Sequence, residues 1–463
     1  MLDLVAVCST LHSCGPFAFN GYSTRISAQR SRGTLVPSRG MWVIARRGDV
    51  SYSGEQLSTP TYAPDFNAPT APWMPGLVPG TVLAALVENG LSLDPNVGFN
   101  SLQVPDIGQE GPEEYTYWFC REFNCSIADV AVPVDKLRWL LEFEGINYSF
   151  ELYVNGNPVP IPTNRGMFLQ HRIDLGKFIR DGSNIMAVLV YPPDHPGKIE
   201  GGGQGGDHAL AQDVASQFFE GWDWIVPVAD RGTGIWGGVR LRPTGDIQLS
   251  DPWARTTLPT APGDTSAKIF ASVCVTNVST EKQSVVLNLV VEHSDAGVVV
   301  VDIVASEIVT VPPLTVLEHS FSPCVVTNAL LWWPIDMGDQ PLYVMSVEAT
   351  QAYVSDYCET TFGVRELKSF IDTATGGRAF AVNGRKVFVR GANYICSDFL
   401  LRQPAARVWH EVQLHAQARI NMLRCWGGAG CQPRALYQAC DAYGLLVWVE
   451  FWITGIQSVS GHC

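Results

Sequence analysis

Short apolar runs separated by glycine and proline dominate residues 41–245. The run SFELYVNGNPV (149–159) alternates between apolar and polar positions and contains Asn155-Gly156, a dipeptide that favours a two-residue β-hairpin turn. A second run, NIMAVLVYPP (184–193), ends at two prolines. Many short strands joined by such turns predict a β-sandwich of the jelly-roll type, so that the chain as a whole is expected to be multidomain and mostly β.

A second block, residues 246–365, keeps the strand-like pattern but has longer apolar runs. Its length is close to the roughly 100 residues of an immunoglobulin-like β-sandwich, which is the fold that we expect for it. The strand-like runs are KIFASVCVTN (268–277), SVVLNLVVEH (284–293), VVVVDIVASEIVTV (298–311) and LWWPIDMGDQPLYVMSVEAT (331–350).

Residues 366–463 change to buried strands separated by helical stretches. Pro404 is predicted to open a helix that runs to about Arg419, and Pro433 opens a second helix that ends at Gly444. A strand–helix–strand–helix–strand pattern predicts the start of a doubly wound sheet or a (β/α) barrel. The predicted strands are KVFVRGANY (386–394), NMLRCW (421–426) and LLVWVEFW (445–452).

Charge and hydropathy exclude two classes of partner. The chain has 31 Lys and Arg residues against 45 Asp and Glu residues, which gives a net charge of −14. An acidic chain repels a phosphate backbone, so we expect no nucleic-acid partner. No run of about 18 apolar residues occurs, and we therefore expect no membrane-spanning helix. The sequence leaves the oligomeric state open.

The cysteines do not suggest a metal site. The 12 cysteines are scattered, with no CxxC pair and no histidine at the spacing of a zinc site. We therefore expect buried thiols and no metal ion, although pairs such as Cys425 and Cys431 leave the redox compartment open.

Residues 1–40 differ in composition from the rest of the chain. They are rich in Ser, Thr and Arg and contain one acidic residue, Asp3. This composition suits an organelle transit peptide, and it also suits a disordered tail or an upstream start codon. The localisation of the protein stays open on this evidence.

One ordered set of motifs resembles a known family. The set resembles glycoside hydrolase family 2, in its β-mannosidase and exo-β-glucosaminidase branch, over about residues 41–455. The glycine-rich stretch ahead of EGWDW makes it most similar to the plant-type mannosylglycoprotein endo-β-mannosidases. The motifs are GGQGGDH (202–208), GWDWIVPVADRGTGIWGGVRL (221–241), LWWPIDMGDQPLY (331–343), TFGVREL (361–367), VFVRGANYICSDFLLR (387–402), MLRCWGG (422–428) and GLLVWVEFWITG (444–455).

The resemblance implies a jelly-roll sugar-binding domain, an immunoglobulin-like domain and a (β/α)8 catalytic barrel, in that order. It also implies retaining hydrolysis of a β-mannoside, with the Manβ1-4GlcNAc linkage of N-glycan cores as the expected substrate. The partner would then be an oligosaccharide or a glycopeptide, and no cofactor is needed because paired carboxyl groups perform the hydrolysis. An exo-β-glucosaminidase and a non-catalytic carbohydrate-binding fragment are the alternatives.

In this family both catalytic carboxyl groups are glutamates at the ends of barrel strands four and seven. The present chain is expected to reach only strand three, so we assign no catalytic residue and expect the 463 residues alone to be inactive. A complete barrel takes about 250 residues, which favours a truncated sequence. Glu450, at the end of the third strand, matches a non-catalytic position of the family.

The resemblance and the positions of polar residues at strand ends indicate a substrate-binding set. Asp223 and Trp224 lie in the GWDW loop, and the alternative is a buried Trp pair with a turn-capping Asp. For Arg424 the alternative is a structural role, in which its side chain only anchors carboxylates at the strand ends. The remaining substrate-binding candidates are Asn393, Asp398 and Trp426, and possible site-lining residues are Asp207, His208 and Glu450.

Overall fold

The structure of the chain is a computed structural model. It describes residues 41–199, 206–222, 225–259, 266–295, 298–430 and 432–452.

Two antiparallel sheets form the first sandwich. Their nine strands are β1 (Val43–Arg46), β2 (Met74–Pro75), β3 (Tyr117–Cys125), β4 (Arg138–Phe143), β5 (Ser149–Val154), β6 (Asn157–Val159), β7 (His171–Asp174), β8 (Gly182–Tyr191) and β9 (Val239–Thr244). The larger sheet has the strand order β2-β1-β3-β8-β5-β6. The smaller sheet has the order β7-β4-β9. Three short helices accompany them: α1 (Gly54–Leu57), α2 (Val82–Glu88) and α3 (Ile107–Glu110).

Alternation along these strands builds the core between the two sheets. Tyr117 and Phe119 of β3 point into that core, while Trp118 points to the outer face of the larger sheet. The hairpin predicted at Asn155-Gly156 is confirmed. It joins β5 to β6, and both residues have positive φ, 51° and 85°, as a type I′ turn requires.

The second sandwich has the immunoglobulin-like arrangement of two packed antiparallel sheets. One sheet is β10-β11-β14 with β15 also paired to β11, and the other is β13-β12-β16-β17. Its strands are β10 (Ile247–Thr257), β11 (Ala267–Asn277), β12 (Gln283–Asp295), β13 (Val298–Val311), β14 (Thr315–Ser320), β15 (Cys324–Val326), β16 (Tyr343–Thr350) and β17 (Val354–Phe362).

A buried ion pair joins the two sandwiches. Arg242 of β9 donates to Asp356 of β17, and Asp356 also accepts from the backbone N–H of Leu249 at 2.6 Å. Because a buried charge without a partner is costly, this pair favours one orientation of the two sheets.

The third part begins with a small antiparallel sheet of β18 (Leu367–Ile371), β19 (Arg378–Val382) and β20 (Arg385–Val387). Three parallel strands follow in the order β21-β22-β23, connected by α4 (Ala405–Gln417) and α5 (Arg434–Tyr443). These strands are β21 (Gly391–Tyr394), β22 (Met422–Cys425) and β23 (Leu446–Val449), the arrangement with which a (β/α)8 barrel begins.

The single strand predicted over 386–394 was wrong. The structure divides this run between β20, which pairs with β19 in a hairpin, and the parallel strand β21. Asn421 binds the backbone where the run turns, because its side chain accepts from the N–H of Arg390 at 2.8 Å and donates to the carbonyl of Phe388 at 2.9 Å. Phe388 is consequently 80% exposed rather than buried.

Both predicted helix starts agree with the structure, in which Pro404 and Pro433 directly precede α4 and α5. Gly444 ends α5 with a φ of 78°. A Cβ atom at this position would lie 2.7 Å from the backbone nitrogen of Ile335, so glycine is needed for space as well. Within the parts of the chain that the structure describes, no helix has the length and apolar character to cross a membrane.

Candidate functional site

Polar side chains meet at the carboxyl edge of the three parallel strands. Strand pairing places Asn393 beside Arg424 and Arg424 beside Trp448. Arg424 lies at the centre of this row. Its Nη1 donates to the Oδ1 of Asn393 at 3.1 Å, and its Nε donates to the Oε1 of Glu450 at 2.8 Å. The guanidinium therefore holds the polar ends of all three strands in one arrangement.

Glu450 is fixed by more than the arginine. Its Oε2 accepts from the backbone N–H of Gly427 at 3.2 Å, and its Oε1 lies 2.6 Å from the Nη2 of Arg424. Gly427 approaches the chain closely here, because a Cβ atom on it would lie 2.2 Å from the carbonyl oxygen of Phe451. The geometry favours an anchored carboxylate at this position over a reacting one.

Aromatic rings lie next to the polar row. The indole of Trp426 packs against Trp222 with 5.8 Å between ring centroids, and Trp452 packs against Phe168 at 4.5 Å. Gly428 lies under the ring of Trp426, and a Cβ atom there would be 2.2 Å from it. The two glycines of the WGG motif thus allow the loop to pass close to both the ring and the neighbouring strand.

The first sandwich completes this region. Ser216 donates its hydroxyl hydrogen to the carbonyl of Gly428 at 3.0 Å, and the backbones of Trp222 and Ile225 are hydrogen-bonded to each other. Two predicted site residues, Asp223 and Trp224, lie outside the described residues. Their neighbour Trp222 contacts Trp426, which brings the first-domain segment to the strand edge.

Asp398 has a different environment from the rest of the predicted set. It is 5% exposed, and its carboxylate accepts from the Nε of Arg402 at 2.8 Å and from the N–H of Leu400 at 3.0 Å. Arg402 also donates to Asp94 of the first sandwich at 3.1 Å. The network ties the segment after β21 to that sandwich, and a substrate contact for Asp398 stays a prediction.

Asp207 and His208 are exposed, and Asp207 lies beside a buried carboxyl group that sequence reasoning missed. Asp207 accepts from the N–H of Ala209 at 3.0 Å. Burial and the neighbouring Asp207 raise the pKa of Glu220 to about 8. A Cβ atom on Gly197 would lie 1.5 Å from the Oε1 of Glu220 and 3.0 Å from the Oδ1 of Asp207, so the two carboxyl groups meet over a glycine.

Sequence signals could have identified only some of the missed residues. Trp452 stands in the aromatic run of the third strand, and Glu220 immediately precedes the GWDW motif. Phe168 and Ser216 carry no local signal, because each reaches the strand edge only through the packing of the first sandwich.

The described residues offer no metal centre. Among them, no group of three or more His, Cys, Asp or Glu side chains is placed to hold a metal ion. Their cysteines form no disulfide, and burial raises the pKa of Cys440 well above its ordinary value. Cys431, which forms a closely spaced pair with Cys425 in the sequence, lies outside the described residues.

Two family models match the chain. The model described as "Glycosyl hydrolase 2 galactose-binding domain-like" covers residues 56–237, and "Glycosyl hydrolases family 2" covers residues 247–365. The chain belongs to glycoside hydrolase family 2.

Curated relatives extend the similarity into the parallel strands. The chain is 41% identical over 421 residues to the mannosylglycoprotein endo-beta-mannosidase of Lilium longiflorum, an alignment that covers 89% of this chain and 43% of that protein. It is 25% identical over 408 residues to the exo-beta-D-glucosaminidase of Streptomyces avermitilis, covering 88% and 40%. The chain thus spans less than half the length of these relatives.

Solved structures share the fold. The exo-chitosanase of Amycolatopsis orientalis superposes with a TM-score of 0.70 at 23% identity, covering 89% of this chain and 42% of that one. The beta-D-mannosidase of Dictyoglomus thermophilum gives a TM-score of 0.66 at 26% identity, covering 83% and 45%.

Proposed function

We propose that the protein is a retaining glycoside hydrolase that cleaves β-mannosides, with the Manβ1-4GlcNAc linkage of N-glycan cores as its substrate. The observation that carries the proposal is the pairing of Trp426 and Trp222 beside the Asn393–Arg424–Glu450 row. An indole face packs against the C–H face of a pyranose, while amide and guanidinium groups bind its hydroxyls. The similarity to the Lilium longiflorum enzyme supports a β-mannoside over other sugars.

Within this proposal the chain supplies substrate binding, and Asp223, Trp224, Asn393, Arg424 and Trp426 are the residues that we assign to it. Asp207, His208 and Glu450 are assigned to the lining of the site. Asp398 is assigned to substrate binding, in addition to its bond with Arg402.

No described residue is assigned to the two carboxyl roles of a retaining mechanism, which requires a pair of carboxyl groups about 5–5.5 Å apart. Glu450 does not suit either role, because Arg424 and the N–H of Gly427 already hold both its oxygens. We therefore propose that residues 1–463 alone bind the substrate without hydrolysing it.

The test compares two polypeptides, the longest in-frame product of the gene and residues 1–463. We expect the longer product to release mannose or a mannosylated glycan from a Manβ1-4GlcNAc substrate, and residues 1–463 to bind that substrate without turnover. Trp426→Ala should weaken binding at least about tenfold, a loss of 1.4 kcal/mol. Trp253→Ala, which removes an exposed indole from the second sandwich, is the matched control. Equal binding by both variants contradicts the site assignment.

An exo-β-glucosaminidase is the second candidate, supported by the similarity to the Streptomyces avermitilis enzyme. Parallel assays with p-nitrophenyl β-mannoside and p-nitrophenyl β-glucosaminide separate the two activities. Turnover of the glucosaminide alone favours this candidate. Binding of glycans by every product of the gene, with no turnover of either substrate, favours a non-catalytic carbohydrate-binding protein.

A further inference from the structure

The larger sheet of the first sandwich has a second face, which points away from the core. Strand pairing aligns Trp118 of β3 with Leu189 of β8, and Leu189 with Glu151 of β5. Tyr153 and Tyr191 lie in the same outward-facing rows of β5 and β8, since side chains alternate along a strand. Three neighbouring strands therefore present aromatic, aliphatic and acidic groups on one surface.

The chain from Arg47 to Gly54 covers one side of this surface and turns it into a groove. The groove has a volume of about 500 Å³, enough for a small oligosaccharide. Trp118 and Leu189 are buried and form its floor. We call this feature the outer groove; the residues used below are Arg47, Tyr52, Glu113, Glu151, Tyr153 and Tyr191.

Glu151 is held in place in the outer groove by two phenols. The hydroxyl of Tyr153 donates to its Oε2 at 2.6 Å, and the hydroxyl of Tyr191 donates to its Oε1 at 2.7 Å. Burial and the contact with Glu151 raise the pKa of Tyr153 to about 12 and also raise the pKa of Tyr191, so both phenols remain donors at neutral pH. Each carboxylate oxygen has a further lone pair with which it can accept from a ligand hydroxyl.

The rim of the groove adds a donor and an aromatic ring. Arg47 contacts Glu113 through its Nη1 at 3.3 Å, and the guanidinium has five N–H donors in all. Tyr52 is 45% exposed, and its ring packs beside Tyr62 with 5.0 Å between centroids. The Tyr52 ring is thus supported from the side, and it offers a platform to a ligand.

These groups suit a ligand that bears hydroxyl groups. Arg47 is paired with Glu113, so the remaining charge of the groove is the carboxylate of Glu151, which would repel a phosphate or another anion. A pyranose has hydroxyl groups that both donate and accept, together with an apolar C–H face that packs on tyrosine. The outer groove offers both hydrogen-bonding groups for the hydroxyls and tyrosine rings for the C–H face.

We propose that the outer groove is a non-catalytic binding site for a neutral oligosaccharide, namely a second part of the glycan that the protein acts on. The choice of glycan rests on the proposed function, whereas the chemistry of the groove does not. The groove lies across the sheet from the core against which Trp426 packs, so a glycan bound there occupies a surface separate from the strand edge.

The experiment is isothermal titration calorimetry of residues 1–463 with β-1,4-mannotriose, extended to millimolar sugar. We expect two classes of site. Glu151→Gln and Tyr52→Ala should each weaken one class at least tenfold and leave the other class unchanged. Trp426→Ala should have the converse effect. Glu318→Gln, which changes an exposed carboxylate on β14 of the second sandwich, is the matched control and should leave both classes intact.

Three results overturn the proposal. One is a single class of site that is lost in Trp426→Ala and unaffected by the two groove variants. Another is the absence of heat from mannotriose at the concentrations tested. The third is binding of tetramethylammonium or inorganic phosphate that the groove variants abolish, while they leave sugar binding unchanged. Thermal melting of each variant separates loss of binding from loss of folding.

Hydrolysis assays keep this proposal distinct from the proposed function. Groove-dependent binding of mannotriose, together with no hydrolysis of β-mannosides by the longest in-frame product of the gene, would contradict the proposed function alone. Hydrolysis of β-mannosides with no binding in the groove would contradict the present inference alone.

Discussion

The first sandwich and the parallel-strand unit use the same kind of ion pair for different purposes. Arg231 and Asp106 are buried in the sandwich and joined by two hydrogen bonds of 2.9 and 3.0 Å. Arg424 and Glu450 at the strand edge are joined at 2.8 Å, but their side chains are 34% and 29% exposed. Breaking a buried pair leaves a desolvated charge, whereas a half-exposed pair adds little to stability. The first pair therefore serves the fold, and the second is available to a ligand.

The largest expected effect tests the buried half of this comparison. Asp106→Ala leaves the guanidinium of Arg231 without its carboxylate in the interior, so we expect a loss of about 3–5 kcal/mol in the free energy of unfolding. Urea denaturation followed by tryptophan fluorescence measures it.

The control is Asp49→Ala, which removes the exposed partner of Arg46 and should cost less than about 1 kcal/mol. Similar losses in the Asp49 and Asp106 variants would mean that burial of the charge does not set the cost.

Close backbone approach at the strand edge gives a smaller expected loss than the buried ion pair. Gly427→Ala puts a Cβ atom 2.2 Å from the carbonyl oxygen of Phe451, and the backbone must shift to make room. We expect a loss of about 1–3 kcal/mol in the free energy of unfolding, together with weaker sugar binding, because Gly427 also holds Glu450. Gly377→Ala, where a Cβ atom meets only an ordinary contact of 3.5 Å with the hydroxyl of Thr375, should leave stability and binding unchanged. Unaltered sugar binding in the Gly427 variant would separate the WGG loop from the site.

The buried carboxyl group of Glu220 makes stability depend on pH. Its pKa is raised from 4.5 to about 8, so the folded chain keeps a proton that the unfolded chain releases above about pH 4.5. The free energy of unfolding should therefore fall as pH rises from about 4.5 to about 8, by at most about 1.4 kcal/mol per pH unit from this group. Glu220→Gln should flatten that part of the curve, as measured by urea denaturation across the range.

Glu318→Gln, an exposed carboxylate in the second sandwich, should keep the slope of the parent chain. An identical pH profile in the Glu220 variant would show that this carboxyl group does not hold a proton in the folded chain.

The smallest expected effect on stability tests the exposed half of the comparison. Arg424→Ala should change the free energy of unfolding by less than about 1 kcal/mol, because both partners are partly solvated. The same change should lower the affinity for mannotriose at the strand edge at least tenfold, since Asn393 and Glu450 lose the group that positions them. A large loss of stability with unaltered affinity would show that Arg424, like Arg231, stabilises the fold and does not contribute to ligand binding.

Local signals in the sequence predicted the parts of the fold that depend on few neighbours. The Asn155-Gly156 hairpin, the proline-led helices α4 and α5 and the terminal Gly444 all follow from the conformational limits of those residues. The run 386–394 failed because its apolar pattern is satisfied equally by one strand or by two. The side chain of Asn421, about 30 residues away along the chain, decides between them.

The sequence predicted those residues of the candidate site that lie at the ends of the parallel strands. Asn393, Arg424 and Glu450 meet because parallel strands present their carboxyl ends at one edge of a sheet. The sequence could not indicate that Asp398 is bound by Arg402, or that Glu220 is buried beside Asp207. Burial of a charge depends on elements distant in the chain, and single-residue patterns do not record it.

The sequence by itself determined the order of two sandwiches and a strand–helix unit, the Asn155-Gly156 turn, the starts of two helices and the residues at the strand edge. Only the tertiary structure decided which charged groups are buried, which aromatic rings meet across domains and which face of the larger sheet forms the outer groove. The reason is physical: turns and alternation depend on the conformations open to each residue and its neighbours. Desolvation and ring packing depend on distant segments that come together only in the folded chain.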